Sequence, residues 1–309
     1  MAQNNPQLPW TDEQWDRVQQ VICEEARKAR VAASFLPIVG PLPPDTDYVS
    51  LDKLDYQPLD PPKAALKRMV VNDTETKRLC TLEIRVYLRG PQVADPELTS
   101  ALQMFRRAAN VLARIEDALI FKGRSGNSLK GGLGSNQNVI WTIDPETGSD
   151  DGLCDAAGKQ CIPLAPLAGS PAISGEQLVS AVSEAIGKLE SAGHLGPFAC
   201  VLDQSLFKVA QTPSPGSLVL PQDSILPFLG GGPLLRSSTL DKSIKPVSPQ
   251  KDVTGLVVAL GGAPVDLVLA RDMTLSFLQV NLDPLFVFRV YEKLTLRIKE
   301  QTAIVGLES

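Results

Sequence analysis

The stretch ANVLARIEDALIFKG, residues 109–123, sets two adjacent acids, Glu116 and Asp117, in a wall of Ile, Leu and Phe. Carboxylates in such surroundings serve acid/base chemistry, hold a metal, or mark a helix edge that meets another surface. Neighbours on a helix point about 100° apart, so the two acids cannot converge simply on one ligand. A carboxylate-bridged di-metal helix needs Glu-x-x-His on its partners, and the chain holds a single histidine, His194. A structural boundary role, with an acid at the edge of the apolar face meeting a basic group, is the better reading of Glu116 and Asp117.

Working outward, PELTSALQMFRRAANVLARIEDALIFKG, residues 96–123, predicts a helix of roughly 25 residues. Leu98, Leu102, Phe105, Ala109, Leu112, Ile115 and Leu119 follow its apolar face, and Gly123 stands where a C-terminal cap belongs. Before it, CTLEIRVYL alternates Leu82, Ile84, Val86 and Leu88 against Thr81, Glu83, Arg85 and Tyr87, the pattern of a half-exposed strand. The preceding polar, Pro-marked residues read as an extended two-stranded arm. At the start, TDEQWDRVQQVICEEARKAR predicts a helix capped by Thr11 or Asp12, with Trp15, Val18, Ile22 and Ala26 in one apolar stripe.

After the long helix comes the glycine-rich SGNSLKGGLGSNQN and a long excursion rich in Gly, Asp, Ala and Pro. A second amphipathic helix follows, with Ser174 as cap and Leu178, Val182, Ile186 and Leu189 inward; then a buried strand, PFACVLD, and a short helix, QSLFKVAQ. GLVVALGGAPVDLVLARDMTLSFLQV gives two strands about a Gly-Gly turn, and the C-terminal segment alternates strongly. The class is mixed α+β.

The chain has 309 residues, 35 acidic and 30 basic, for a net charge of −5, which is unlike a whole-surface nucleic-acid binder. It has no apolar run of about 18 residues and no basic-then-apolar leader, so neither a membrane span nor secretion is expected. Five scattered cysteines read as reduced cytosolic thiols. Cys154 and Cys161 fit neither a redox pair nor a zinc knuckle. One histidine leaves most zinc, Ser-His-Asp and Cys-His sites unbuildable. The turn Gly131-Gly132-Leu133-Gly134 lacks the spacing and the Gly-Lys-Ser/Thr ending of a phosphate loop.

Taken in order, several stretches resemble the encapsulins, also described as linocin-type bacteriocin proteins, which have the fold of tailed-phage major capsid proteins. They are the Trp15 helix, VGPLPPD, LDKLDYQPLDPPKAALKR, ARIEDALIFKG, HLGPFACVLDQSLF, GGPLLRS, VVALGGAPVDLVLARDMTLSFL and FRVYEKLTLRIKEQTAIVGLE. The resemblance implies an N-terminal helix and arm on the lumen side (residues 1–48) and an extended loop over a neighbouring subunit (49–90). A peripheral domain with its spine helix and an inserted surface loop follows (91–175), then an axial domain (176–262) and C-terminal strands of the peripheral domain (263–309).

It further implies a non-catalytic cytoplasmic shell that assembles from sixty subunits or a multiple. The shell would hold a cargo enzyme, such as a dye-decolorising peroxidase or a ferritin-like protein, by its C-terminal peptide. Trp15, Val18, Ile22, Leu275 and Phe277 would dock that peptide. Thr212, Pro213, Ser214, Pro215, Gly216 and Ser217 would line a pore. This pore loop lacks the family's Tyr-Pro-Leu-x-x-Arg, LARD replaces Gly-Gln-Asp with Arg271 new on the inner side, and Tyr87-Leu88 stands where some members carry a flavin-stacking Trp. No cofactor, metal, membrane or nucleic acid is therefore expected. A viral capsid protein packaging nucleic acid is the alternative, and a soluble hydrolase the more distant one.

Overall fold

The computed structural model describes residues 9–58, 67–124, 141–144, 152–158, 160–164, 173–214, 218–241, 253–281 and 283–308. The first helix, α1 (Asp12–Ala29), begins at Thr11, whose hydroxyl accepts from the Gln14 N–H while the Gln14 side chain accepts from the Thr11 N–H. Val18, Ile22 and Ala26 form its buried stripe. The short helix α2 (Gly90–Val93) leads to the long α3 (Thr99–Lys122). Leu98 precedes α3 in the left-handed region, and Gly123 ends it at φ 75°, the backbone geometry that the capping glycine supplies.

Two sheets organise the rest. The first has the order β1 (Ile38–Val39), β12 (Val265–Val280), β13 (Leu285–Ile298), β6 (Cys80–Arg89), β7 (Trp141–Asp144). β12 and β13 are long antiparallel partners, with the ladder shifted between Leu269 and Thr274 and again near Phe277. β6 buries alternate residues as its sequence predicts. The face carrying Leu82, Ile84, Phe288, Val290 and Leu294 packs with α1 and α3 in one core cluster.

The second sheet runs β10 (Leu234–Arg236), β9 (Phe198–Leu202), β11 (Val253–Ala259), β14 (Ile304–Glu308), β8 (Cys161–Pro163). Every residue of β9 is buried. Ala199 and Val201 join the α1–α3 core, whereas Phe198, Cys200 and Leu202 join a second core. That second core is built on Leu178, Val182, Ile186 and Leu189 of α5 (Gly175–Ser191). A strand covered on both faces loses alternation and reads as an apolar run. Two smaller helices flank the sheet, α4 (Leu153–Ala157) and α6 (Gln204–Ala210), and α7 (Pro221–Ile225) lies near α5.

The two strands around Gly261-Gly262 do not pair with each other; the chain crosses there from the second sheet to the first. Farther on, β14 pairs with β11 and β8 in the second sheet and not with β13. The excursion after α3 supplies β7 and β8, one edge strand to each sheet.

The arm is two ribbons. β2 (Tyr48–Ser50) pairs with β5 (Thr76–Arg78), and β3 (Lys53–Pro58) with β4 (Lys67–Asn72). Arg297 anchors its base, donating to Asp52 Oδ2 at 2.9 Å and to the Ser50 carbonyl, while forking onto the buried Asp266 at 2.8 Å.

One glycine tests the β9–β10 seam. A Cβ at Gly232 would lie 1.9 Å from the Phe198 carbonyl oxygen, so Gly232→Ala forces backbone apart. It is expected to lower stability by about 1–3 kcal/mol, read from urea unfolding midpoints.

Candidate functional site

Glu116 and Asp117 lie on the side of α3 that receives the end of α1. Both are almost fully buried, at 1% and 3% exposure. Glu116 Oε2 accepts from Arg30 Nε at 2.5 Å, and Arg30 is the residue that caps α1. The same guanidinium donates to Glu292 Oε2 of β13 at 2.5 Å and to Asp272 Oδ1 of β12 at 2.8 Å. Asp117 takes no side-chain cation. Its carboxylate accepts from the backbone N–H groups of Val31 and Ala32, at 2.8 to 3.1 Å, in the turn after α1.

The adjacent acids thus divide their work because they point in different directions. One binds the helix-capping cation and the other binds the backbone of the next turn. Burial lowers the Arg30 pKa, but Glu292, Glu116 and Asp272 more than reverse this and raise it. Burial pushes Asp117 up to about 8 against the two N–H groups that favour its ionised form.

The expected docking residues gather in one place, but mostly in the core. Val18 and Ile22 are fully buried, and Leu275 and Phe277 are 8% and 6% exposed. Trp15 alone of the five is half-buried. In the subunit, then, a groove cannot be built from Val18, Ile22, Leu275 and Phe277, whose side chains already pack on one another's elements. The stripe that predicts a helix face is the face that docks onto the sheet.

Trp10 was not among the expected residues. It lies at the centre of this cluster, stacked on Phe288 at 4.9 Å and edge-on to Trp15 at 5.2 Å, with its indole N–H donating to the Val93 carbonyl. The signal that could have found it is local. Trp10 precedes the capping Thr11, and Trp15 is the fourth residue of the helix, the spacing of a hydrophobic staple. Beside them Gln19 bridges the α1–β12 seam. Its Nε2 donates to the Met273 carbonyl and its Oε1 accepts from the Leu275 N–H, both at 2.9 Å.

The expected pore loop leaves the end of α6. Thr212 and Pro213 are exposed, and Ser214 is half-buried. Pro215, Gly216 and Ser217 lie outside the described residues. Ser214 joins Val179, Ser183, Val219, Pro221 and Phe228 in lining a groove of about 600 Å³ beside α5. His194 is buried against the Thr302 hydroxyl at 2.9 Å. All five cysteines are free thiols, and burial pushes Cys154 up to about 12. Among the described residues no three His, Cys, Asp or Glu side chains converge to hold a metal, and no helix is long and apolar enough to cross a membrane.

A long helix under an antiparallel sheet, a second sheet-and-helix unit and a projecting ribbon define a capsid-type shell subunit. Solved structures share this fold. The virus-like particle of Pyrococcus furiosus matches with a TM-score of 0.62 at 16% identity, over 96% of this chain and 100% of the other. The capsid of Myoviridae phage XM1 matches with a TM-score of 0.57 at 12% identity, over 88% and 89%. The holo-SrpI encapsulin complex of Synechococcus elongatus PCC 7942 gives 0.52 at 13%, over 90% and 86%.

The chain belongs to the Linocin_M18 family, described as encapsulating protein for peroxidase, whose model matches residues 2–150 and 146–295. It is also 27% identical to the type 1 encapsulin shell protein EncA of Myxococcus xanthus, over 97% of this chain and 94% of that protein. Structural shell proteins, rather than enzymes, are its kin.

Two substitutions separate the roles at the α1–α3 junction. Arg30→Ala leaves Glu116 and Glu292 buried without their cation, and is expected to cost about 3–5 kcal/mol. Asp117→Asn keeps one oxygen for both N–H groups but sets its NH2 against the Val31 N–H, and is expected to cost about 1–3 kcal/mol. Chemical denaturation measures both, with the larger loss at Arg30.

Proposed function

We propose that this chain is the repeating subunit of a closed icosahedral nanocompartment of sixty copies or a multiple, which encloses a cargo enzyme by that enzyme's C-terminal peptide. The observation that carries the assembly is the β3–β4 ribbon. Leu54 pairs with Val71 and Tyr56 with Met69, so all four side chains share one face. They are 36%, 58%, 54% and 70% exposed, a contiguous apolar strip that the described residues leave open. An isolated two-stranded ribbon is marginal in water. Packing over a neighbouring copy stabilises it, and a closed shell repeats that contact around every subunit. In this reading residues 49–90 are the extended loop, α3 is the spine of the peripheral domain, and α5 with the second sheet forms the axial domain near the pore.

The family's description names a peroxidase as what is encapsulated, which supports a peroxidase among the cargo classes. The peptide would lie along the α1–β12 seam, where Trp15 remains reachable, instead of on Val18 or Ile22. The shell itself performs no chemistry in this reading.

Light scattering and electron microscopy of the purified chain test the assembly. Hollow particles are expected, and a monomer or dimer overturns the reading. Particles that package nucleic acid transfer it to a viral capsid protein. The double variant Tyr56→Asp/Met69→Lys is expected to keep the circular dichroism spectrum and lose the particles. Trp15→Lys is expected to keep the particles and abolish loading of a cargo bearing the peptide.

A further inference from the structure

The junction around Arg30 holds more carboxylates than it can neutralise. Three converge on one guanidinium: Glu116 from α3, Glu292 from β13 and Asp272 from β12. Asp272 is more than half exposed and remains hydrated, but Glu116 and Glu292 are 1% and 0% exposed. The next acid on α3, Asp117, accepts only backbone N–H groups and brings no cation. On β6 the residue opposite Glu292 is Leu82, which is apolar. Two buried acids therefore face a single positive charge.

The second observation is geometric. Glu292 Oε2 accepts from Arg30 Nη2 and Glu116 Oε2 from Arg30 Nε, so one guanidinium holds both buried carboxylates side by side. Glu292 Oε1 is buried with no hydrogen-bond partner among the described residues. An ionised carboxylate can only accept, so two ionised acids there repel each other with one charge to balance them. One proton removes that repulsion.

We propose that Glu116 and Glu292 hold one proton between them, and that this shared proton is a pH-sensitive latch joining α1 and α3 to the first sheet. Burial, and then the charge of Glu116, raise Glu292 well above the ordinary carboxylate range against the pull of Arg30. Burial raises Glu116 too, with Arg30 opposing. The sign follows from linkage. Above the ordinary glutamate pKa the unfolded chain has released this proton while the folded chain keeps it, so the folded state binds more protons. Its stability falls as pH rises toward the raised pKa, by about tenfold in the folded-to-unfolded ratio per pH unit. The latch is closed below the raised pKa and opens above it.

The test compares urea unfolding of the assembled wild-type protein and Glu292→Gln, from about pH 6 to about pH 9, a range reaching the pKa of documented buried glutamates. The Gln amide is neutral at every pH. Wild type is expected to lose stability with rising pH, and Glu292→Gln to lose much less. Parallel losses in the two proteins overturn the proposal. Infrared spectroscopy compares the same two proteins, because Asp117, pushed up to about 8, holds a carboxyl proton of its own. The C=O stretch of protonated carboxylic acids is expected to be stronger in wild type than in Glu292→Gln by the band of the shared proton; equal bands across the pH range overturn the proposal.

Discussion

The rest of the subunit depends on one partly buried guanidinium. Arg30 ends α1, and its donors reach α3, β12 and β13, so a single planar group fixes the first helix against both the long helix and the sheet. Buried ion pairs add little net stability over apolar packing, because desolvation offsets the Coulombic gain. What they supply is position: the fork accepts carboxylates in few orientations. Asp117 completes the arrangement by binding the turn that follows, so the helix end and the chain leaving it are held by neighbouring residues of one helix turn. From that turn the chain runs to β1 and to the base of the arm, which makes the direction of the arm a downstream consequence of this junction.

Elements governed by local periodicity were legible in the sequence. α1, α3, α5 and β6 lie where spacing, caps and alternation put them, because each buries one face against a neighbour. What local pattern cannot carry is partnership. Nothing near Gly261 announces that the strands on either side belong to different sheets, and nothing in β14 says that it leaves β13's sheet for β11's. The candidate docking residues meet the same limit. The stripe of Trp15, Val18 and Ile22 was rightly apolar, but an apolar stripe reports burial and is silent on whether the cover is the subunit or a guest. Glu116 was readable as a boundary residue. Its cation, 86 positions away, was not.

The two cores meet through the second sheet, whose inner strands are covered on both faces, whereas the β3–β4 ribbon presents an apolar face that the other described residues leave exposed. The described residues thus divide into a well-covered body and a thinly covered extension.

Gln19 has a consequence beyond the seam it closes. The outer edge of β12 is taken by β1 and the Leu42 N–H as far as Leu269, and then by one side-chain amide at Met273 and Leu275. That amide occupies one donor and one acceptor position that another strand would otherwise use. A subunit made to gather with its own copies at high local concentration is exposed to indiscriminate strand addition along any open sheet margin. By placing a helix side chain there, the fold makes its longest hairpin a poor template for runaway pairing, and leaves crowding to favour the ordered contact over the tangled one.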